Sequence, residues 1–597
     1  MKFQASEYSI KVKPILLFLI TTICYTYVIR ELNISEPIVC FPLAIAFLIM
    51  AFNLSNIKLS IKSKVLVAVF SYIYGIVISL SKLIVFVGDV DYHNTYMNVI
   101  TSHVFIQALP MSILAYIFLN NLHSFVMTHT INITSKKELT AKQLRITWLI
   151  CTAIIMVCWL PHLLLYYPGV IIGDSLSSIA QAVGTQPLGN HFPVVYTLFI
   201  KLCFKITSLF SDNLNYGVFL YTIIQYIIMA MSAGYIVVWL LSHGIKKELC
   251  VIIELFYSCC GIFAGYAISM WKDPLFGVAC TIIGLLVADI IISKGTVLSS
   301  RKFIICWIML GLFLMFWRNN GIYIFLPTFL ITWLFYKKKH IIFLIANIAI
   351  CALYFLITGP LYNALNISKD TTVESFAVPI QQVASVIVSD YELNDEQREV
   401  LFTILPEEDW ENYSPILVDR IKFQGNFNSE YFNKNIGKFI KVWAELLIPN
   451  FGLYVRSYLM NTMGFWRPGI QYGAGYFYSP GETTNEFGIY RTDLLQKITG
   501  HDFFEALDKS RLFICSGTLV WMMLTVIILI ILKKSNLRLL LMLIPSLATW
   551  GTLLLATPIA FSFRYIFILG FNLPVCILLP FMSITNNDND TEQLNLP

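Results

Sequence analysis

Long apolar runs, about 18 residues or more, recur along nearly the whole chain and are separated by short polar stretches. Runs of that length predict helices, since transmembrane strands read as alternating segments of about 10 residues. The first runs fall roughly at Pro14–Ile29, Pro37–Phe52, Val65–Val87 and Val104–Met127, followed by Trp148–Tyr166. Three further stretches, Val194–Phe210, Tyr216–Leu241 and Cys250–Met270, precede a run at Leu275–Ile292. Beyond Lys339 a run reaches Gly359, hydropathy then collapses up to Leu512, and three runs close the chain near Leu512–Leu532, Leu537–Ala556 and Pro558–Leu579. The pattern predicts an all-α polytopic membrane protein of about 13–15 spans.

Charge orders these runs. The 597 residues are 57% hydrophobic and 13% charged, with mean hydropathy +0.72, against roughly 25% charged in a soluble domain. Basic clusters at Lys58/Lys62/Lys64, Lys136/Lys137/Lys142/Arg145, Lys294/Arg301/Lys302, Lys337–Lys339 and Lys533/Lys534 mark cytoplasmic loops. Asp174, Asp273 and Arg318 then fall outside. Both flanks of residues 194–270 point outward, which requires an even number of crossings where three stretches are counted. Residues 360–512 hold 20 of the 35 acidic but 13 of the 41 basic residues, as an outer loop or small domain would. The expected divisions are N-terminal helices at 1–145, a core at 146–359 with its first outer loop at 167–193, the extracytoplasmic segment 360–512, C-terminal helices at 513–582, and a polar, disordered tail at 583–597. Within the segment, Phe432–Leu447 reads as an amphipathic helix and Phe465–Tyr478 is rich in aromatics and glycine. The thirteen cysteines avoid the polar segment, so no disulfide framework is indicated. No cleavable signal is apparent at Pro14–Ile29. The net charge of +6 gives no reason to expect a nucleic-acid partner.

Polar residues gather at four places. The loop YPGVIIGDSLSSIAQAVGTQPLGNHFP, residues 167–193, carries Asp174 and His191. It predicts a surface helix over 175–183, with Leu176, Ile179 and Val183 on one side and Ser177, Ser178 and Gln181 on the other. Asp174 is either a proton acceptor or the N-cap of that helix. Lys272-Asp273 follows an aromatic, where charges serve either a site or a span-end anchor. Arg318-Asn319-Asn320-Gly321 is an arginine with two amides or a helical hairpin turn, and Phe563-Arg564-Tyr565 is an arginine between aromatics or an interface belt. HExxH, P-loop, GxSxG and CxxC patterns are absent. Two acids suit deprotonation of an acceptor or binding of a divalent cation. Two arginines suit a phosphate, gripped bidentately. Together they describe a site for an anionic, phosphate-bearing lipid.

An acid in the first outer loop, a surface helix, a His-x-Pro at the next span and a second acid about 100 residues later resemble the GT-C superfamily of polyprenyl-phosphate-sugar-dependent membrane glycosyltransferases. The wording YPGVIIGDS, NHFPVVYT, WKDPLFG, WRNNGIY and VPIQQVA more closely resembles the bacterial family DUF6020, over roughly residues 148–580. The resemblance implies a GT-C-like helix bundle in a bacterial plasma membrane. It implies Asp174 as catalytic base and Asp273 as a second catalytic acid that helps the acceptor or binds Mg²⁺ or Mn²⁺. Here Lys-Asp stands at that position rather than two acids.

The expected reaction is inverting transfer of a sugar from a polyprenyl-phosphate donor to a glycan or other envelope acceptor. Substrate-binding residues are expected to be His191, Lys272, Arg318, Asn319, Arg564 and Tyr565, the arginines stabilising the departing phosphate. His191 either meets the phosphate, orients Asp174, or merely begins a helix. Two other classes fit the same polytopic pattern. A lipid-linked glycan flippase or transporter would place its charges near the bilayer midplane, and a non-catalytic envelope-assembly protein would leave the acids and arginines unclustered.

Overall fold

The computed structural model describes residues 4–584 apart from 32–35, 58, 84–101, 134–138, 337–340, 369–371, 390, 470–484, 510–514, 535, 557–558 and 561. The Lys337–Lys339 cluster, Lys136 and Lys137, most of the glycine- and aromatic-rich Phe465–Tyr478 stretch and residues 585–597 of the tail lie outside the described residues. The chain is an all-α, multi-pass membrane protein. Its secondary structure is helical except for one two-stranded parallel pairing, Ile131–Ile133 against Met582–Ile584, among the described residues. The strand takes Ser583 and Ile584 from the expected polar tail.

Eight described helices are long and apolar enough to cross a bilayer, or up to ten when two bent pairs count as one span each. Shorter apolar helices, among them Pro37–Asn53 and Gly321–Tyr336, account for further runs of the sequence pattern. Helix lengths bear on the odd count between 194 and 270. Val194–Thr207 has only 14 residues, roughly 21 Å at 1.5 Å per residue, short of a core of about 30 Å. Leu214–Ser242 is long enough, and Lys247–Cys259 with Gly261–Ala267 passes as a pair bent by 56°, a broken span or a re-entrant loop. With the pair counted as one broken span, two crossings remain, the even number that the charges require.

Contacts divide the chain into two compact units. The first comprises residues 1–130, 376–470 and 524–535. Its N-terminal helices are joined by Asn121, whose Nδ2 donates to Met50 O at 2.9 Å, and by a core of Cys24, Val28 and Leu114. In 376–470 the two glutamines of the VPIQQVA segment are buried and structural. Gln381 donates to Ser414 O at 2.7 Å, while Gln382 accepts from Trp443 Nε1 at 2.8 Å and donates to Tyr454 O. The expected amphipathic helix is Ile436–Leu447, with Phe439, Val442 and Leu446 inside.

The second unit comprises residues 131–375, 471–523 and 536–597. Its axis is Lys272–Ile292, 89% of whose span is buried, against 39% for Ala141–Leu165 and 61% for Leu214–Ser242. Glycines allow that close approach: a Cβ at Gly277 would lie 2.9 Å from Phe567, and one at Gly284 2.9 Å from Met542 O. All the polar residues singled out above belong to this unit.

Candidate functional site

The site is built at the N-terminal end of the axial helix. There the break after Gly261–Ala267 leaves carbonyls that helix bonding cannot satisfy. Gln225, an amide inside the apolar Leu214–Ser242 helix, donates to Tyr266 O, Ala267 O and Ser269 O at 3.0, 3.2 and 2.5 Å. Ser175 and Tyr196 hydroxyls both donate to Met270 O, at 2.7 and 3.0 Å. Tyr221 donates to Trp271 O and Trp317 Nε1 to Lys272 O. The break at 268–271 between the two helices is thereby held in place, and Val170 of the first loop bridges to Ser269. Gly169 permits this approach: its φ is +150°, and a Cβ would lie 2.2 Å from Thr222 Oγ1. The loop enters through a cis Tyr167–Pro168 peptide.

Two acid–arginine pairs converge on this frame. Arg564 Nη1 donates to Asp174 Oδ2 at 2.6 Å, and Arg318 Nη1 lies 2.8 Å from Asp273 Oδ1. The second contact is an ion pair without hydrogen-bond alignment, since Oδ1 is buried with no hydrogen-bond donor. One ring joins the pairs. Tyr565 lies 4.5 Å from the Arg564 guanidinium carbon and 5.4 Å from that of Arg318, measured to its centroid. Its hydroxyl also accepts from Arg564 Nη2. Lys272 sits 5.0 Å over the Phe192 ring and makes no ion pair among the described residues. With Lys272, three cations face two carboxylates, so the cluster carries one net positive charge.

The two acids differ in depth. The Asp273 side chain is 2% exposed and that of Asp174 43%. Burial pushes the Asp174 carboxyl up, but Arg564, Lys272 and His191 outweigh it and hold it below the usual carboxylate range. Asp174 is therefore ionised and reachable at neutral pH. Asp273 is enclosed.

Asp174 does not cap its helix. The helix runs Gly173–Val183 with Ile172 at the N-cap, and Asp174 is its first-turn acid; the carboxylate turns to Arg564 instead. The helix also buries its polar residues. Ser175, Ser178 and Gln181 lie inside while Val183 is 38% exposed, because Ser178 bonds Asp174 O and Gln181 Oε1 accepts from Gly189 N. His191 is exposed, packed edge-on to Phe192 at 4.7 Å, and its charge helps hold Asp174 ionised. Asn319 Nδ2 donates to Asn190 O at 2.6 Å and so ties the first loop to the Arg318 turn. That turn is a helical hairpin as well as an arginine site. Gly321 N donates to Arg318 O at 2.8 Å, and a Cβ on Gly321 would fall 1.9 Å from Leu314 O.

A divalent cation finds little here. Each acid is taken by a guanidinium, and no cluster of three or more His, Cys, Asp or Glu that could hold a metal occurs among the described residues. The donor set does not fit a resident ion at Asp273.

Sequence reasoning missed Trp271, whose ring lies 5.3 Å from the Arg564 guanidinium carbon, and Phe192 beneath Lys272. It also missed Gln225, Tyr196 and Tyr221, which hold the frame. Gln225 carried a signal, being an uncharged polar group deep in an apolar run. The tyrosines carried none, since they read as interface aromatics.

Residues 182–595, more than two thirds of the chain, match the protein-family model DUF6020, a family of unknown function. The chain belongs to the DUF6020 family. Lys272, Asp273, Arg318 and Arg564 of this DUF6020 member lie inside the matched stretch, and Asp174 lies eight residues before it. No curated protein and no solved structure matches the chain.

Proposed function

We propose that this protein is an inverting membrane glycosyltransferase. It moves a sugar from a polyprenyl-phosphate donor to an extracytoplasmic envelope acceptor, a glycan in the first instance, in a bacterial plasma membrane. The observation that carries the reading is the paired cluster: one accessible ionised carboxylate, one enclosed carboxylate, and three cations, one in excess over them. A phosphate-bearing substrate balances that excess charge. The cluster sits where the axial helix begins, at a span end rather than mid-bilayer, which supports chemistry at the membrane surface.

In this mechanism the acceptor hydroxyl approaches Asp174. The carboxylate takes the hydroxyl proton as the acceptor oxygen bonds the anomeric carbon and the bond from that carbon to the phosphate oxygen breaks. The electron pair leaves with the polyprenyl phosphate, whose growing charge Arg318, Arg564 and Lys272 stabilise. Arg564 has two claimants. A donor phosphate that draws its guanidinium away frees the Asp174 lone pairs, so base strength rises only when donor is bound. Asp273 acts by holding Arg318, and Tyr565 by stacking both guanidiniums. His191 lies at the rim, where it meets the phosphate or acceptor.

A lipid-linked glycan flippase is the second reading. The bent helix pair and Glu254, a carboxyl buried two turns into it near Cys151 and Ser258, are features a transporter would use. The test is transfer by purified protein from a radiolabelled polyprenyl-phosphate sugar. Release of free polyprenyl phosphate with label on the acceptor supports the enzyme, and translocation of intact donor supports the flippase.

A further inference from the structure

A cavity of about 400 Å³ lies at the other end of the same helices. Arg145 and Trp148 line it from the start of Ala141–Leu165, Tyr235 and Trp239 from the end of Leu214–Ser242, and Asp289 from the end of Lys272–Ile292. Residues 272 and 289 are 17 positions apart, about 25 Å along a helix, close to the bilayer core. The cavity therefore sits near the opposite membrane face from the paired cluster, the face that the basic residues mark as cytoplasmic. It is separate from the proposed transferase site and does not depend on that reading.

Its wall is built, with its acid already satisfied. Trp239 Nε1 donates to Asp289 Oδ1 at 2.9 Å, and His243 Nε2 lies 3.4 Å from the same oxygen. His243 Nδ1 donates to Trp239 O at 2.8 Å, which fixes the ring. Asp289 is thus held by the Trp239 hydrogen bond, and by an ion pair when His243 is protonated. Arg145 is exposed and makes no ion pair among the described residues. By chain position Lys142, Lys246 and Lys294 stand at the ends of the same helices, adding positive charge around the mouth. The remaining walls are aromatic and aliphatic, and one turn on from Arg145, on the same helix face, Leu149 is 56% exposed. An occupant is asked to present an anion at Arg145, a body for the aromatic walls, and an apolar tail along the exposed helix.

We infer that this cavity binds the phosphate headgroup of an anionic glycerophospholipid from the cytoplasmic leaflet. Arg145 grips the phosphate, Trp148 and Tyr235 flank the glycerol region, and the acyl chains run over the face that carries Leu149. The volume suits a headgroup, and basic pockets between spans on this side take anionic lipids. The Trp239–Asp289–His243 arrangement holds the wall open.

Delipidated full-length protein in detergent is titrated with dioleoyl phosphatidylglycerol, dioleoyl phosphatidylcholine or soluble glycerol 3-phosphate, and Tm is read. Phosphatidylglycerol is expected to raise Tm saturably, while the other two leave it unchanged. Arg145→Gln is expected to weaken the apparent affinity about fivefold or more. Native mass spectrometry of the wild-type protein, which needs no variant to fold, should retain one phosphatidylglycerol per chain in preference to phosphatidylcholine. An undiminished shift in Arg145→Gln, equal retention of both lipids, or the same shift with glycerol 3-phosphate would overturn the assignment. The first two would mean non-specific annular lipid, and the third a soluble phosphate ligand.

Discussion

Arg564 donates to the carboxylate of Asp174 at 2.6 Å across 390 residues of sequence. The pair ties the first loop of the core to its last bent span. It also sets the protonation of the proposed base and the position of a proposed phosphate ligand in one contact.

This coupling has a pH signature. Asp174 sits below its ordinary value because of Arg564 in the first place among its attractive partners, so it stays ionised to lower pH than a free carboxyl of about 3.9. Arg564→Gln removes that attraction and leaves burial to act, so the carboxyl pKa rises. The acidic limb of the transfer profile is expected to move to higher pH. By the same sign, the stability the pair contributes is present above the unfolded pKa and is lost as pH falls through the folded one. A pH-rate profile of the two proteins decides it; an unmoved limb would show that the pair does not control the group being titrated.

Asp273 and Arg318 are expected to behave as a buried pair. Removing either partner alone strands a charge, at a cost of about 3–5 kcal/mol, whereas Asp273→Asn with Arg318→Gln together should recover part of that loss. Thermal unfolding of the two single variants and the double variant gives the coupling. Strictly additive losses would mean that the two side chains do not act on each other.

Gly321→Ala is expected to destabilise the turn that presents Arg318, because its Cβ would meet Leu314 O at 1.9 Å. Gly551→Ala, in the Ile544–Ala556 helix with nothing within 4 Å, should be neutral or stabilising. Expression and Tm of the two variants provide the contrast.

Chelation is expected to leave transfer unchanged, since both carboxylates are held by guanidiniums. Loss of activity in EDTA that Mg²⁺ or Mn²⁺ restores would return the metal role to Asp273.

The spans were legible because bilayer burial imposes long apolar runs, and most appear within a few residues of where hydropathy put them. Asp174, Asp273, Arg318 and Arg564 were legible as charges where apolar residues dominate. Their pairing was not, since nothing local links position 174 to 564. The inward polar face of Gly173–Val183 was hidden for a different reason. Periodicity assigns faces by hydrophobicity, whereas Ser175 is buried by a hydrogen bond to Met270, 95 residues on, that only the folded chain supplies, and Gln181 turns in to accept from Gly189. Val194–Phe210 read as one of three apolar stretches that an even number of crossings could not all span, and its helix, Val194–Thr207, has 14 residues.

The central claim rests on Asp174, and its most direct test is transfer from polyprenyl-phosphate sugar by purified Asp174→Asn protein. Asparagine keeps the size of the side chain and an oxygen for Arg564 but accepts no proton at neutral pH. General-base catalysis contributes typically 10²–10⁴-fold, so the expected result is a loss of at least about a hundredfold in kcat at unchanged expression and fold. Transfer by Asp174→Asn at near the wild-type rate would contradict the account and leave Asp174 as a structural partner of Arg564.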